Sequence, residues 1–155
     1  MKISEAAKEQ LTESGIMESA VELVENICDR ERHSVCDPEH GLYYMHAQIG
    51  RTTIWLEYTQ DAEGQRHLQR AHSHRMAIRN EYVEKNVEYQ EGPTPEVPYC
   101  VSCNTALEMQ RIGLNYLLYP FAVTAPRCPV CGQVFFTPHI METKIAPVEI
   151  NLEDK

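Results

Sequence analysis

The chain has 155 residues, enough for one ordinary domain or two small ones, and a composition of 43% hydrophobic and 24% charged residues that excludes a disordered or fibrous chain. Its net charge of −9 divides into −8 before residue 99 and −1 after it. Neither part has the cationic excess that phosphate binding draws on, so nucleic acid is not an expected partner. The opening MKISEAAKEQ lacks the apolar run of a signal peptide, and no stretch approaches the length of a membrane span. We therefore expect a cytoplasmic protein with no membrane partner, in a compartment that keeps thiols reduced. There, six cysteines favour metal ligation over disulfides.

In chain order, Ser4 to Ser14 predicts a short helix. Ser4 is placed to cap it, Glu5 suits the positive helix start, and Gly15 can stop it. A second helix is predicted over 17–30, where Val21, Val24, Ile27 and Cys28 recur at three- and four-residue steps, with Glu18, Glu22 and Glu25 on the polar side. The two form a helical hairpin. From His33 to Gly41 the pattern breaks, and Asp37-Pro38-Glu39-His40-Gly41 is a turn cluster. Strand formers at 42–49 and 52–58, joined by Gly50-Arg51, predict the start of an antiparallel sheet, with Trp55 as the main anchor of the N-terminal core. A third strand is predicted from Arg66 to about Ile78, although the composition of 66–88 also admits a helix. The arginines Arg66, Arg70, Arg75 and Arg79 read as the solvated edge of that strand rather than a binding patch.

Residues 90–98, QEGPTPEVP, resist helix and interior strand alike. They predict a Pro-rich linker between an N-terminal α+β domain at 1–89 and a second domain at 99–155. The second domain carries the most informative motif: Cys100 and Cys103, then Cys128 and Cys131, two C-x-x-C pairs with 24 residues between them. Each pair aims two sulfurs at one spot, and two pairs can close four thiolates around a tetrahedral ion. Asn104 and Gly132, just after the pairs, both tolerate the left-handed backbone such a turn needs. Zn²⁺ is the expected occupant, and the domain reads as a zinc ribbon. Its strands are predicted between the pairs, with a third at 134–136 and then an irregular C-terminal tail. Iron is the competitor, because a sulfur-only tetrahedral site accepts either metal. The first pair lacks the glycine usual in iron knuckles and few aromatics surround the site, which favours zinc.

Other candidates are weaker. His72 and His74 would share one strand face, with His46 on a neighbouring strand, and three converging imidazoles could hold a second metal. The alternative is that they pack beside Leu68, Met76 and Ile78. Cys28 reads as a buried small hydrophobe and Cys36 as a thiol in a turn. No phosphate loop, G-x-S-x-G or HExxH occurs, and no catalytic or cofactor-binding residue is assigned.

YCVSC at 99–103, Leu107-Glu108, PRCPVCGQVF at 126–135 and NLEDK at 151–155 together resemble a family of short proteins of anaerobic bacteria described as redox proteins with paired C-x-x-C knuckles. The resemblance covers about a third of the chain. It implies a metal-thiolate ribbon tied to anaerobic redox metabolism, with the same four cysteines as ligands. The sequence thus predicts a two-part α+β protein, not itself an enzyme, that serves as an accessory or small subunit of a larger enzyme. The alternatives are a rubredoxin-like electron carrier and a nucleic-acid-binding ribbon.

Overall fold

The structure, a computed structural model, describes residues 1–79 and 91–153. Helix α1 (Glu5–Glu13) starts where Ser4 Oγ accepts from the Ala7 amide at 3.2 Å, and it buries Ala7 and Leu11. Helix α2 (Glu18–Glu31) buries Val21, Val24 and Cys28, the predicted stripe, and ends at Arg32 in a left-handed conformation at φ 56°.

These helices lie on a six-stranded antiparallel sheet of order β4-β3-β2-β1-β6-β7. Its members are β1 (Val35–Asp37), β2 (Leu42–Ile49), β3 (Thr52–Gln60), β4 (Arg66–His74), β6 (Tyr99–Cys100) and β7 (Thr105–Ala106). A three-stranded sheet of order β5-β8-β9 is formed by β5 (Met76–Ile78), β8 (Glu108–Tyr116) and β9 (Tyr119–Arg127). The predicted third strand is therefore two strands, broken at Arg75, and the second of them belongs to the other sheet. The helix reading fails over 66–78; residues 80–88 lie outside the described residues.

Period-two alternation sorts the large sheet into two faces. Met45, Ala47, Ile54, Leu56, Tyr58, Leu68 and Ala71 pack with Leu11, Val21 and Val24 under the helices. Trp55 points the other way, into a second core with Met76, Ile112, Leu114, Val123, Phe136 and Ile145. It is thus not the anchor of the helix-backed core. Its ring packs on Phe136 at 5.1 Å and ties residues from both sides of the Pro-rich segment together.

Three further expectations are corrected. The patternless stretch 33–41 contains β1, a short strand buried at all three positions, which gave no alternation to read, ahead of the predicted turn, which stands at 38–41. β1 is the hinge of the sheet, pairing with β2 on one side and β6 on the other. Residues 134–136 make one bridge, Arg127 to Val134, and no strand. The predicted tail is helical: α3 (Pro138–Ile140), a π turn (Met141–Ile145) and α4 (Ala146–Glu153). Thr137 caps it by accepting from the Ile140 amide, and Pro138 sits in the first turn, where its missing N–H costs nothing. The π turn has a local cause. Pro147 has no N–H for the Thr143 carbonyl, and the Ala146 amide reaches back five residues to Met141.

The α+β class stands. The segment 90–98, of which 91–98 is described, runs beside the first cysteine pair: the Leu107 amide donates to the Pro98 carbonyl at 3.0 Å and Asn104 Nδ2 to the Gly92 carbonyl at 3.3 Å. Residues on its two sides share a sheet through β1–β6, a second sheet through β5–β8, and one apolar core.

Candidate metal centre

Cys100 is the last residue of β6, and Cys103 follows one turn later. Asn104 takes φ 47° and hands the chain to β7, while Thr105 Oγ1 bonds the Cys103 carbonyl at 2.8 Å. The second pair follows β9. The Cys128 amide donates to the Gln133 carbonyl at 2.9 Å, and the Gly132 amide to the Cys128 carbonyl at 3.0 Å. Gly132 takes φ 78°, so both positions expected to be left-handed are so. Arg127 Nε donates to the Gly132 carbonyl at 2.9 Å and braces the turn from behind.

The two turns bring all four sulfurs within 4.8 Å of one another, and each cysteine is at most 3% exposed. Cys100 and Cys131 sulfurs lie 3.7 Å apart. A disulfide would need ~2.05 Å, and none of the six cysteines is bridged. An ion with ~2.3 Å bonds to four tetrahedral sulfurs sets them ~3.8 Å apart. The donor set and its spacing therefore fit a metal ion, and these four residues can hold one.

Electrostatics point the same way. Four buried thiols cannot all ionise beside one another. Side-chain hydrogen bonds from Cys100 and then Cys131 pull Cys128 down to about 2. Cys131 is driven up by Cys100 and then Cys128, Cys100 is raised by Cys128, and burial pushes Cys103 up to about 12. The four thiols thus compete for ionisation. A dication supplies the charge that lets all four ionise, so metal uptake and proton release are linked.

Residues around the sulfurs were not foreseen. Gln133 is only 6% exposed. Its Nε2 donates to Cys100 Sγ at 2.7 Å and to the Ser34 carbonyl at 2.9 Å, joining the cluster to the entry of β1. The Cys131 amide points at Cys128 Sγ at 3.5 Å. Ser102 Oγ donates to the Arg32 carbonyl, and the Val101 amide donates to the Ser34 carbonyl at 2.9 Å. A polar residue two places beyond the last cysteine was a signal in the sequence. Its partner, 99 positions away, was not.

The histidines do not converge. His46 and His72 each pair with Trp55 from opposite sides, so the indole stands between them. His46 stacks on it at 4.0 Å and His72 lies parallel at 6.4 Å. Burial lowers His46 to about 3, helped by His33, and lowers His72 to about 4, helped by His74. His74 Nδ1 instead meets Glu149 Oε2 at 2.7 Å and ties β4 to α4. Among the described residues one other group could reach an ion: Asp37, Glu39 and His40, where His40 Nδ1 bonds Asp37 Oδ2 at 2.7 Å. Cys28 is buried as expected, its thiol pushed up to about 12 by burial and donating to the His46 carbonyl at 3.2 Å. Cys36 is not in a turn; it is buried on β1, paired with Tyr43 and Tyr99 on either side. Of the four arginines read as a solvated strand edge, Arg66 is held by Glu25 at 3.0 Å and Asp29 at 2.8 Å, and Arg75 lies 3.5 Å from Glu153.

The fold and site define an α+β protein with a buried cluster of four thiols that could hold a metal ion. A family model described as a domain of unknown function (DUF7479) matches residues 97–155, which include all four cysteines. No curated protein and no solved structure matches the chain. No helix among the described residues is long and apolar enough to cross a membrane.

Proposed function

We propose that the chain is a zinc-ribbon protein without catalytic activity of its own, working in the cytoplasm as an accessory or small subunit of a larger enzyme. The observation that carries this reading is closure of the site. Four protein sulfurs, each at most 3% exposed, fill a tetrahedral shell and leave no position for water or substrate. A closed ion of this kind organises surface rather than reacting, and its binding energy becomes folding energy for a segment with few apolar side chains of its own. The resemblance of residues 99–155 to paired-knuckle proteins supplies the setting, anaerobic redox metabolism. The acidic N-terminal part favours a basic partner surface.

One observation supports a second reading. Gln133 and the Cys131 amide both donate toward cluster sulfurs, and hydrogen bonds to sulfur help set the potential of an iron–thiolate centre. A rubredoxin-like electron carrier is that reading. Elemental analysis and a visible spectrum of protein purified without oxygen separate the two. One equivalent of zinc and no visible absorption support the accessory role; iron with a reversible one-electron couple replaces it. A native pull-down is expected to recover an oxidoreductase or its assembly factor, through a contact that weakens on chelation. Salt-sensitive nucleic-acid binding at micromolar concentration would overturn both readings.

A further inference from the structure

Both cysteine turns converge on one short stretch outside the thiol cluster. Residues 32–34 join α2 to β1. Gln133 Nε2 and the Val101 amide both donate to the Ser34 carbonyl, each at 2.9 Å. Ser102 Oγ donates to the Arg32 carbonyl. Val101 and Ser102 lie between the cysteines of the first pair, and Gln133 lies two places beyond the second. A further contact comes from the helix-backed core: Ser34 Oγ shares a hydrogen bond of 2.7 Å with the hydroxyl of Tyr58, which is 1% exposed.

The stretch so held is strained. Arg32 closes α2 at φ 56°, a conformation that glycine takes freely and that a β-carbon opposes. Its amide and that of His33 both turn back to the Cys28 carbonyl, the His33 bond measuring 2.9 Å. An arginine keeps such a cap where contacts from outside the helix over-determine it. Here they come from Ser102 and, through Ser34, from Val101 and Gln133. These residues belong to the two turns whose shape an ion on the four thiols would fix.

We propose that metal occupancy is transmitted to the C-terminal end of α2. With an ion on the thiols, the turns hold residues 32–34 and α2 keeps its left-handed cap. Without it the turns loosen, their contacts to Arg32 and Ser34 lapse and the last turn of α2 frays, while β1 stays paired with β2. The inference rests on the zinc-ribbon reading above and gives that site a regulatory output. Arg30, Glu31 and Arg32 are exposed, so the state of a buried centre is displayed on the surface. Coupling of this kind is reciprocal: the Ser34–Tyr58 bond, made in the loaded form and lost on fraying, strengthens metal binding from the far side of the junction.

Hydrogen exchange on the full reduced chain, with one equivalent of zinc and again after chelation, tests this. Chelation is expected to speed exchange of the Arg32 and His33 amides ~10-fold, with the amides of 21–28 unchanged. Arg32→Gly takes the cap conformation without strain, and is expected to remove most of that change while zinc content stays the same. Tyr58→Phe is expected to weaken zinc affinity ~3-fold in chelator competition, the size of one modest hydrogen bond. Leu11→Ala, which destabilises the same core without touching the junction, should leave that affinity unchanged. Equal exchange at residues 32–33 in the loaded and chelated forms overturns the coupling and leaves the zinc site standing. So does a Tyr58→Phe chain that binds zinc as the parent does, or an Arg32→Gly chain that frays as the parent does. A chain that takes up no metal overturns the coupling and the zinc-ribbon reading together.

Discussion

The two ends of the large sheet are stabilised by different physics. Where α1 and α2 cover it, Leu11, Val21, Val24, Met45, Leu56 and Leu68 interlock in a continuous apolar core. Each such side chain contributes ~1.5–3 kcal/mol by leaving water. Where the sheet continues into β6 and β7, the strands are two residues long and the buried cluster beneath is four cysteines, with Leu107 and Val130 as the partly buried apolar side chains packed against it among the described residues. Little apolar area holds that end together, and a metal at the four thiols would supply what is missing. The difference shows that one sheet can draw on two sources of stability, and that each should fail under a different challenge.

The sharpest way to separate them is Cys128→Ser. Metal content is expected to fall from ~1 equivalent to near zero, with loss of amide protection over 97–107 and 126–136. Residues 42–60 should stay protected, as read by hydrogen exchange. Stoichiometric metal with unchanged protection would abolish the distinction. Leu11→Ala is the reciprocal probe. It is expected to cost ~2–5 kcal/mol in denaturant unfolding while metal content stays the same.

Acid should weaken the junction between the two cores. His46 and His72 are held neutral by burial, at about 3 and about 4 against an ordinary 6.5. The unfolded chain takes up protons at these sites that the folded chain refuses. Their contribution is therefore full above pH 6.5 and falls as pH drops from 6.5, toward 4 for His72 and toward 3 for His46, below which it is lost. His72→Gln should flatten this slope in unfolding measured across the window, removing ~3 kcal/mol of pH dependence. The smallest effect is expected at Gln133→Ala. Loss of its donor to Cys100 and to Ser34 should weaken metal affinity ~10-fold in chelator competition, with little change in the helix-backed core.

Legibility in the sequence followed the range of the interaction. Both helices were readable because caps and stripes act over a few residues: Ser4 and the Val21–Val24–Cys28 row needed no tertiary knowledge. The strands β2 and β3 were readable by their strand-forming composition and the Gly50-Arg51 turn between them. β1 was not, since Val35, Cys36 and Asp37 are all buried and their pairing with 99–100 spans the chain. The C-terminal helix was missed because Pro138 and Pro147 read as breakers. One sits in the first turn, where its lost N–H is harmless, and the other is absorbed by the π turn.

The four candidate ligands were legible in the sequence itself. Two C-x-x-C turns impose their own geometry, and residues that tolerate positive φ follow each pair. Only the tertiary structure decided what surrounds and joins them. Gln133 reaches Ser34 across 99 positions, Trp55 turns away from the helices toward Phe136, and the histidines are held apart by that same indole. The reason is the reach of the forces. Knuckle and cap geometry is set within four residues, whereas which face of a strand is buried against which distant element depends on how the whole chain closes on itself.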